Sequence, residues 1–71
     1  MATATMNKHP AYAHHRAAAL AHEAAAHHHR DACHQLDQGQ PEGAKAHAAS
    51  ARTHSQEADR LTKAAHQHWD E

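Results

Sequence analysis

Eight alanines stand at seven-residue intervals in two runs along this chain: Ala11, Ala18, Ala25 and Ala32, then Ala44, Ala51, Ala58 and Ala65. Seven residues span two helical turns when helices wind around each other, so a strict heptad of small apolar residues predicts paired helices rather than strands. The positions three places on from each alanine complete the seam. They read His14, Ala21, His28 and Gln35 in the first run, and His47, His54, Leu61 and His68 in the second. The opposite face is mostly polar: Arg16, Glu23, Arg30 and Asp37, then Ala49, Gln56, Lys63 and Asp70. β-branched residues are limited to four threonines, which disfavours strands further.

Only "LDQGQPEGA" interrupts the pattern with strong breakers. Gly39 suits the residue just past a helix end, and Pro41 suits the first position of the next helix. Glu42 then lies near a positive dipole end. The expected organisation is a single domain over residues 1–71: a flexible N-terminus over 1–8, a helix over 9–38, a turn at 39–40 and a helix over 41–69. Asn7 is a candidate cap for the first helix. A hairpin centred near Gly39 sets Ala32 against His47, His28 against Ala51, Ala25 against His54, and Ala18 against Leu61. Nearly every layer then pairs a small residue with a larger one, which allows close backbone approach.

Composition shows what such a hairpin lacks. Twenty residues are Ala, and Val, Ile and Phe are absent. The large apolar side chains are Leu20, Leu36, Leu61, Tyr12, Trp69 and two methionines near the N-terminus. Burial of such a side chain contributes about 1.5–3 kcal/mol, against roughly 1.5 kcal/mol of ordering cost per residue. A lone hairpin is therefore marginal. The expected fold class is all-α: an antiparallel helical hairpin that dimerises into a four-helix bundle. Two flanks compete for the dimer face. One carries His15, His22, His29, Leu36 and Trp69; the other carries Ala13, Ala17, Leu20, Ala24 and Ala64.

Charge excludes several partners. Seven Lys and Arg balance eight Asp and Glu, and no basic stripe interleaves with aromatics, so nucleic acid is not an expected partner. No apolar run approaches the roughly 20 residues that a membrane span needs. The opening "MATATMNKHP" has no hydrophobic segment after its lysine, which predicts no secretory signal. The single cysteine cannot close a disulfide within the chain, and a reduced, cytoplasmic setting is expected.

Twelve histidines carry the chemistry. His27, His28 and His29 point in directions about 100° apart, so the triplet is not one local site. Any site must be assembled across helices or subunits. His29 with Cys33, spaced i and i+4, can reach one ion, and a thiolate with an imidazole suits zinc, copper or nickel. His22 lies one heptad earlier on that stripe. His28, His47 and His54 form a second group in neighbouring seam layers, and His14 with His68 repeats the idea at the open end. His9, His27, His34 and His66 read as solvent-facing. A seam histidine can equally fill space and hydrogen-bond a carbonyl. The candidate metal ligands are therefore His29, Cys33, His22, His28, His47 and His54.

Enzyme readings find less support. A di-iron bundle uses Glu-x-x-His on two helices, whereas Ala26, Lys45 and Arg60 follow three places after Glu23, Glu42 and Glu57. Cys33 beside His29 or His34 can be drawn as a nucleophile pair, yet no oxyanion hole or substrate pocket accompanies it. The expectation is a non-catalytic protein that buffers or stores a transition metal, with affinity falling as pH drops toward about 6.5. The alternative is a metal-free structural or interaction hairpin whose neutral buried histidines make it lose stability in acid.

The stretches "HHRAAALAHEAAAHHHRDA", "DQGQPEGAKAHAA" and "KAAHQHW" resemble a group of small bacterial proteins rich in His and Ala. That group shows repeated HH-x-x-A-A units, a glycine-containing turn and a second helix rich in Ala and His. The resemblance covers most of the chain and implies a bacterial helical hairpin with no assigned activity. This chain carries fewer histidines in its second helix than that pattern.

Overall fold

The structure is a computed structural model, and it describes residues 9–67. It contains two helices, α1 (Pro10–Asp37) and α2 (Pro41–Gln67), packed against each other as a hairpin. The expectations that fall on residues 1–8 and 68–71, including Asn7, His68 and Trp69, lie outside the described residues.

Capping explains where each helix starts and stops. His9 is the N-cap of α1, with extended backbone, and its Nδ1 accepts the Ala11 N–H at 3.0 Å. Pro10 follows in the first turn, where its missing N–H costs nothing. The helix thus begins one residue later than the periodicity suggests, and a histidine does the work expected of Asn7. His9 is correspondingly half-buried rather than solvent-facing.

The turn is a Schellman closure. Gly39 N–H donates to Leu36 O at 3.0 Å and Gln40 N–H donates to Gln35 O at 2.8 Å. That pattern needs a left-handed residue, and Gly39 has φ +70°. Pro41 then opens α2, with Ala44 N–H donating to Gln40 O at 3.1 Å. Gly43 lies where the helices approach most closely beside the turn. A Cβ there would collide with the Gln35 side-chain amide.

The buried residues are those of the alanine heptad. Ala11, Ala18, Ala25, Ala44, Ala51, Ala58 and Ala65 are buried, and Ala32 is half-buried. The next seam row, His14, Ala21, His28, Gln35, His47, His54 and Leu61, is half-buried throughout. Among the described residues no polar side chain is buried and no large side chain is fully enclosed. Each alanine methyl contributes only about 0.8 kcal/mol, so this interface holds two rods together weakly. Leu20 and Leu36 remain 61% exposed on opposite flanks.

Candidate metal centre

The seam changes character near the turn. Nearer to it imidazole is densest, at His28, His47 and His54; farther away alanine and Leu61 fill the layers as far as His14. The ring of His28 contacts both His47 and His54, with centroid separations of 5.5 and 5.2 Å. Those two residues are one heptad apart on α2, so His28 sits opposite Ala51, in the register that the turn implies. Ala51 has no side chain beyond Cβ, which leaves room for the His28 ring between its two neighbours.

Three potential ligand atoms converge there. His28 and Asp31 are spaced i and i+3 on α1, and His47 comes from α2. Each offers one ligand atom, and the three atoms lie within 4.8 Å of one another. His28 Nδ1 is 3.3 Å from His47 Nδ1, and His47 Nδ1 is 3.8 Å from Asp31 Oδ2. A tetrahedral Zn²⁺ with bonds of about 2.0–2.1 Å separates its ligand atoms by about 3.4 Å. The two imidazoles are already at that spacing, and the carboxylate oxygen lies within 4.8 Å of both. His28, Asp31 and His47 can thus hold a metal ion.

The cluster is also tied together by one imidazole–imidazole hydrogen bond and by contacts with the carboxylate. The contact between His28 and His47 needs one Nδ1 protonated and the other bare. Asp31 lies beside His47 Nδ1, which favours His47 as the donor and His28 as the acceptor. Asp31 Oδ2 is also 3.2 Å from His27 Nε2, one turn back on α1. The side chains of His47 and Asp31 are 33% and 37% exposed, so the cluster opens to solvent on one side.

The other sequence candidates lie apart from this cluster. His22 Nε2 contacts Thr62 Oγ1 across the hairpin at 3.0 Å, on the exposed flank that also carries His15, His29 and Leu36. His29 and Cys33 are both exposed, and Cys33 is a free thiol. His54 is half-buried with its ring stacked on His28 at an interplanar angle of 7°. Of the six candidate ligands, the structure brings His28, His47 and His54 into one group and leaves His22, His29 and Cys33 outside it.

Two participants escape the heptad reading. Asp31 is neither a seam residue nor part of a Glu-x-x-His pattern, although His-x-x-Asp is spaced equally well for one ion. His27 is exposed, yet it engages Asp31 rather than standing free. The string "HHHRD" contained both spacings, i to i+3 and i to i+4.

Away from the cluster the polar contacts are ordinary surface pairs. Arg60 forms a two-point pair with Glu57, and Lys63 Nζ is 3.0 Å from Asp59 Oδ2. The hydrogen bond from Arg60 holds the Glu57 carboxyl below its usual range, opposed by slight desolvation and assisted by the positive charge. No family model, curated protein or solved structure matches the chain.

Proposed function

We propose that this protein is a non-catalytic transition-metal binder that buffers or stores a borderline divalent ion at the helix–helix seam. The observation that carries this reading is the convergence of His28, Asp31 and His47 from two helices at metal-ligand spacing. Two imidazoles and a carboxylate suit Zn²⁺, with Cu²⁺ and Ni²⁺ as competitors. The ion would tie α1 to α2 across an interface that alanine alone holds weakly. Bound metal therefore adds stability that grows with the logarithm of free metal above its dissociation constant. Its ligands must be unprotonated, so affinity falls as the pH is lowered.

Dimerisation belongs to the same reading. A hairpin with an alanine core and a strongly exposed leucine on each flank has apolar surface to share with a second copy in a cytoplasmic four-helix bundle. Exposed His29 and Cys33 would serve at most as a secondary, softer chelate.

Titration of metal-free, untagged protein with Zn²⁺ under competition tests the proposal. The expected result is micromolar or tighter binding at neutral pH that is lost in His28→Ala and His47→Ala. Millimolar binding, unchanged in both variants, would eliminate it.

One observation favours a second reading, a pH-responsive structural hairpin. The rings of His28 and His47 meet across the seam, and protonation of both would set two positive charges about a ring contact apart. Asp31 offsets only part of that repulsion. This reading expects acid-induced loosening that is indifferent to chelator, whereas the metal reading expects chelator to lower the melting temperature at neutral pH.

A further inference from the structure

The three converging side chains leave one tetrahedral position unassigned. Zinc sites with three protein ligands keep that position for water, whereas structural sites close it with a fourth side chain. We propose that His54 is the fourth ligand, so that the metal-bound hairpin holds a closed site of three imidazoles and one carboxylate: His28, Asp31, His47 and His54. This inference rests on the metal-binding reading above and specifies how the same site is completed.

Three observations support it. First, the His54 ring centroid is 5.2 Å from that of His28. Two imidazoles on one tetrahedral ion place their centroids about 5.2 Å apart, given bonds of about 2.0–2.1 Å. His28 and His47 show nearly the same separation, 5.5 Å. His28 thus has an imidazole ring from α2 on either side, His47 with a nitrogen already converging and His54 stacked on it. Second, helical side chains lean toward the N-terminus of their own helix. His54 therefore leans along α2 toward His47 and the cluster, and Ala51, buried beneath it, puts no side chain in the way. Third, His54 is half-buried in the seam rather than displayed on the surface. Its ring is already stacked on His28, and reorientation about its Cα–Cβ and Cβ–Cγ bonds would turn a nitrogen from the stack toward the ion.

His27 is the rival for the fourth position. It is exposed, and its Nε2 is committed to Asp31 Oδ2. We assign it to orienting the carboxylate from outside, the arrangement in which a hydrogen-bonded neighbour fixes a ligand's direction. A closed site of nitrogen and oxygen ligands takes Zn²⁺ or Co²⁺, has no position for a substrate or reactive water, and does not use the Cys33 thiolate.

Co²⁺ distinguishes the possibilities, because four-coordinate Co²⁺ absorbs visible light far more strongly than five- or six-coordinate Co²⁺. The probe is the full chain titrated with Co²⁺, then with competing Zn²⁺, as wild type and as His54→Leu. Leucine is already accommodated one heptad on, at Leu61, so this variant keeps a seam residue. The expected result is an intense tetrahedral spectrum for wild type. In His54→Leu water takes the vacated position, so the bands should shift, and affinity should fall at least tenfold. A His54→Leu spectrum and affinity equal to wild type would overturn the inference while leaving the metal-binding reading intact. Absence of Co²⁺ and Zn²⁺ binding to wild type, or equal binding by His28→Ala, would overturn both. Should His54→Leu lose its helical circular dichroism, imidazole ¹⁵N shifts of wild type with and without Zn²⁺ decide the matter. A large shift at one His54 nitrogen supports ligation, and an unchanged ring refutes it.

Discussion

The two flanks of the hairpin hold similar ligand chemistry and differ in what they can do with it. One flank displays His15, His22, His29 and Cys33 along α1, all exposed, and it carries a cross-helix imidazole–hydroxyl pair, His22 with Thr62. The other flank has fewer ligand residues. Its Asp31 is half-buried and sits within reach of imidazoles from both helices. The difference teaches that ligand density along one helix does not make a site. An i, i+4 pair supplies two ligands and no more, whereas a site that spans the seam recruits from both rods and from the flank between them.

The largest expected effect sharpens this contrast. His47→Ala should lower Zn²⁺ affinity by about a hundredfold or more, while His29→Ala with Cys33→Ser should change it by less than about threefold. Competition titration with a chromogenic chelator measures both. A larger loss in the His29/Cys33 variant would reverse the ranking of the two flanks. Next in size is the effect of metal on folding. Zn²⁺ at 100 times its dissociation constant should stabilise the wild-type hairpin by about 2.7 kcal/mol. The same addition should leave His47→Ala unmoved in a thermal melt followed by circular dichroism.

Smaller effects probe each flank separately. His27→Ala removes the outer contact on Asp31 and should weaken Zn²⁺ binding about tenfold. On the other flank, Thr62→Val should alter stability by about 0.5 kcal/mol or less, as expected of an exposed contact. The smallest effect is at Glu57. Its carboxyl titrates below the ordinary range because Arg60 donates to it. The pair's contribution is therefore present above about pH 4.3, the usual glutamate value, and is lost as pH falls through the lowered folded value. Because both groups are fully exposed, Glu57→Gln should shift an acid melt at the limit of detection. A marked shift would show that surface pairs matter more here than the seam does.

Much of the fold was legible because its determinants are local and periodic. The alanine heptad specified which faces meet, and Gly39 with Pro41 specified where the chain reverses. Together they gave the register in which His28 lies opposite Ala51. Less of the site could be read. The seam histidines His28, His47 and His54 follow from the repeat, but Asp31 joins them only because one flank turns toward α2 beside His47. That depends on side-chain direction, which spacing does not encode. His29 and Cys33 show the opposite case: their spacing is favourable for a chelate, yet it places both on an exposed surface with no counterpart from α2 brought to them in the described structure. The cap of α1 was not legible for another reason. A histidine rarely caps a helix, and here His9 does so because Pro10 follows it and its Nδ1 reaches Ala11 N–H.

The glycine closure at Gly39 also shapes the order in which contacts can form. His28 and His47 are 19 positions apart in the chain, and loop-closure entropy grows only slowly from such a short separation. Zippering that begins at the reversal therefore meets the imidazole cluster early, before Ala18, Leu61 and Ala65 have been aligned. An ion captured at that stage would clasp the short end of the hairpin while the long end was still free to fray and re-form.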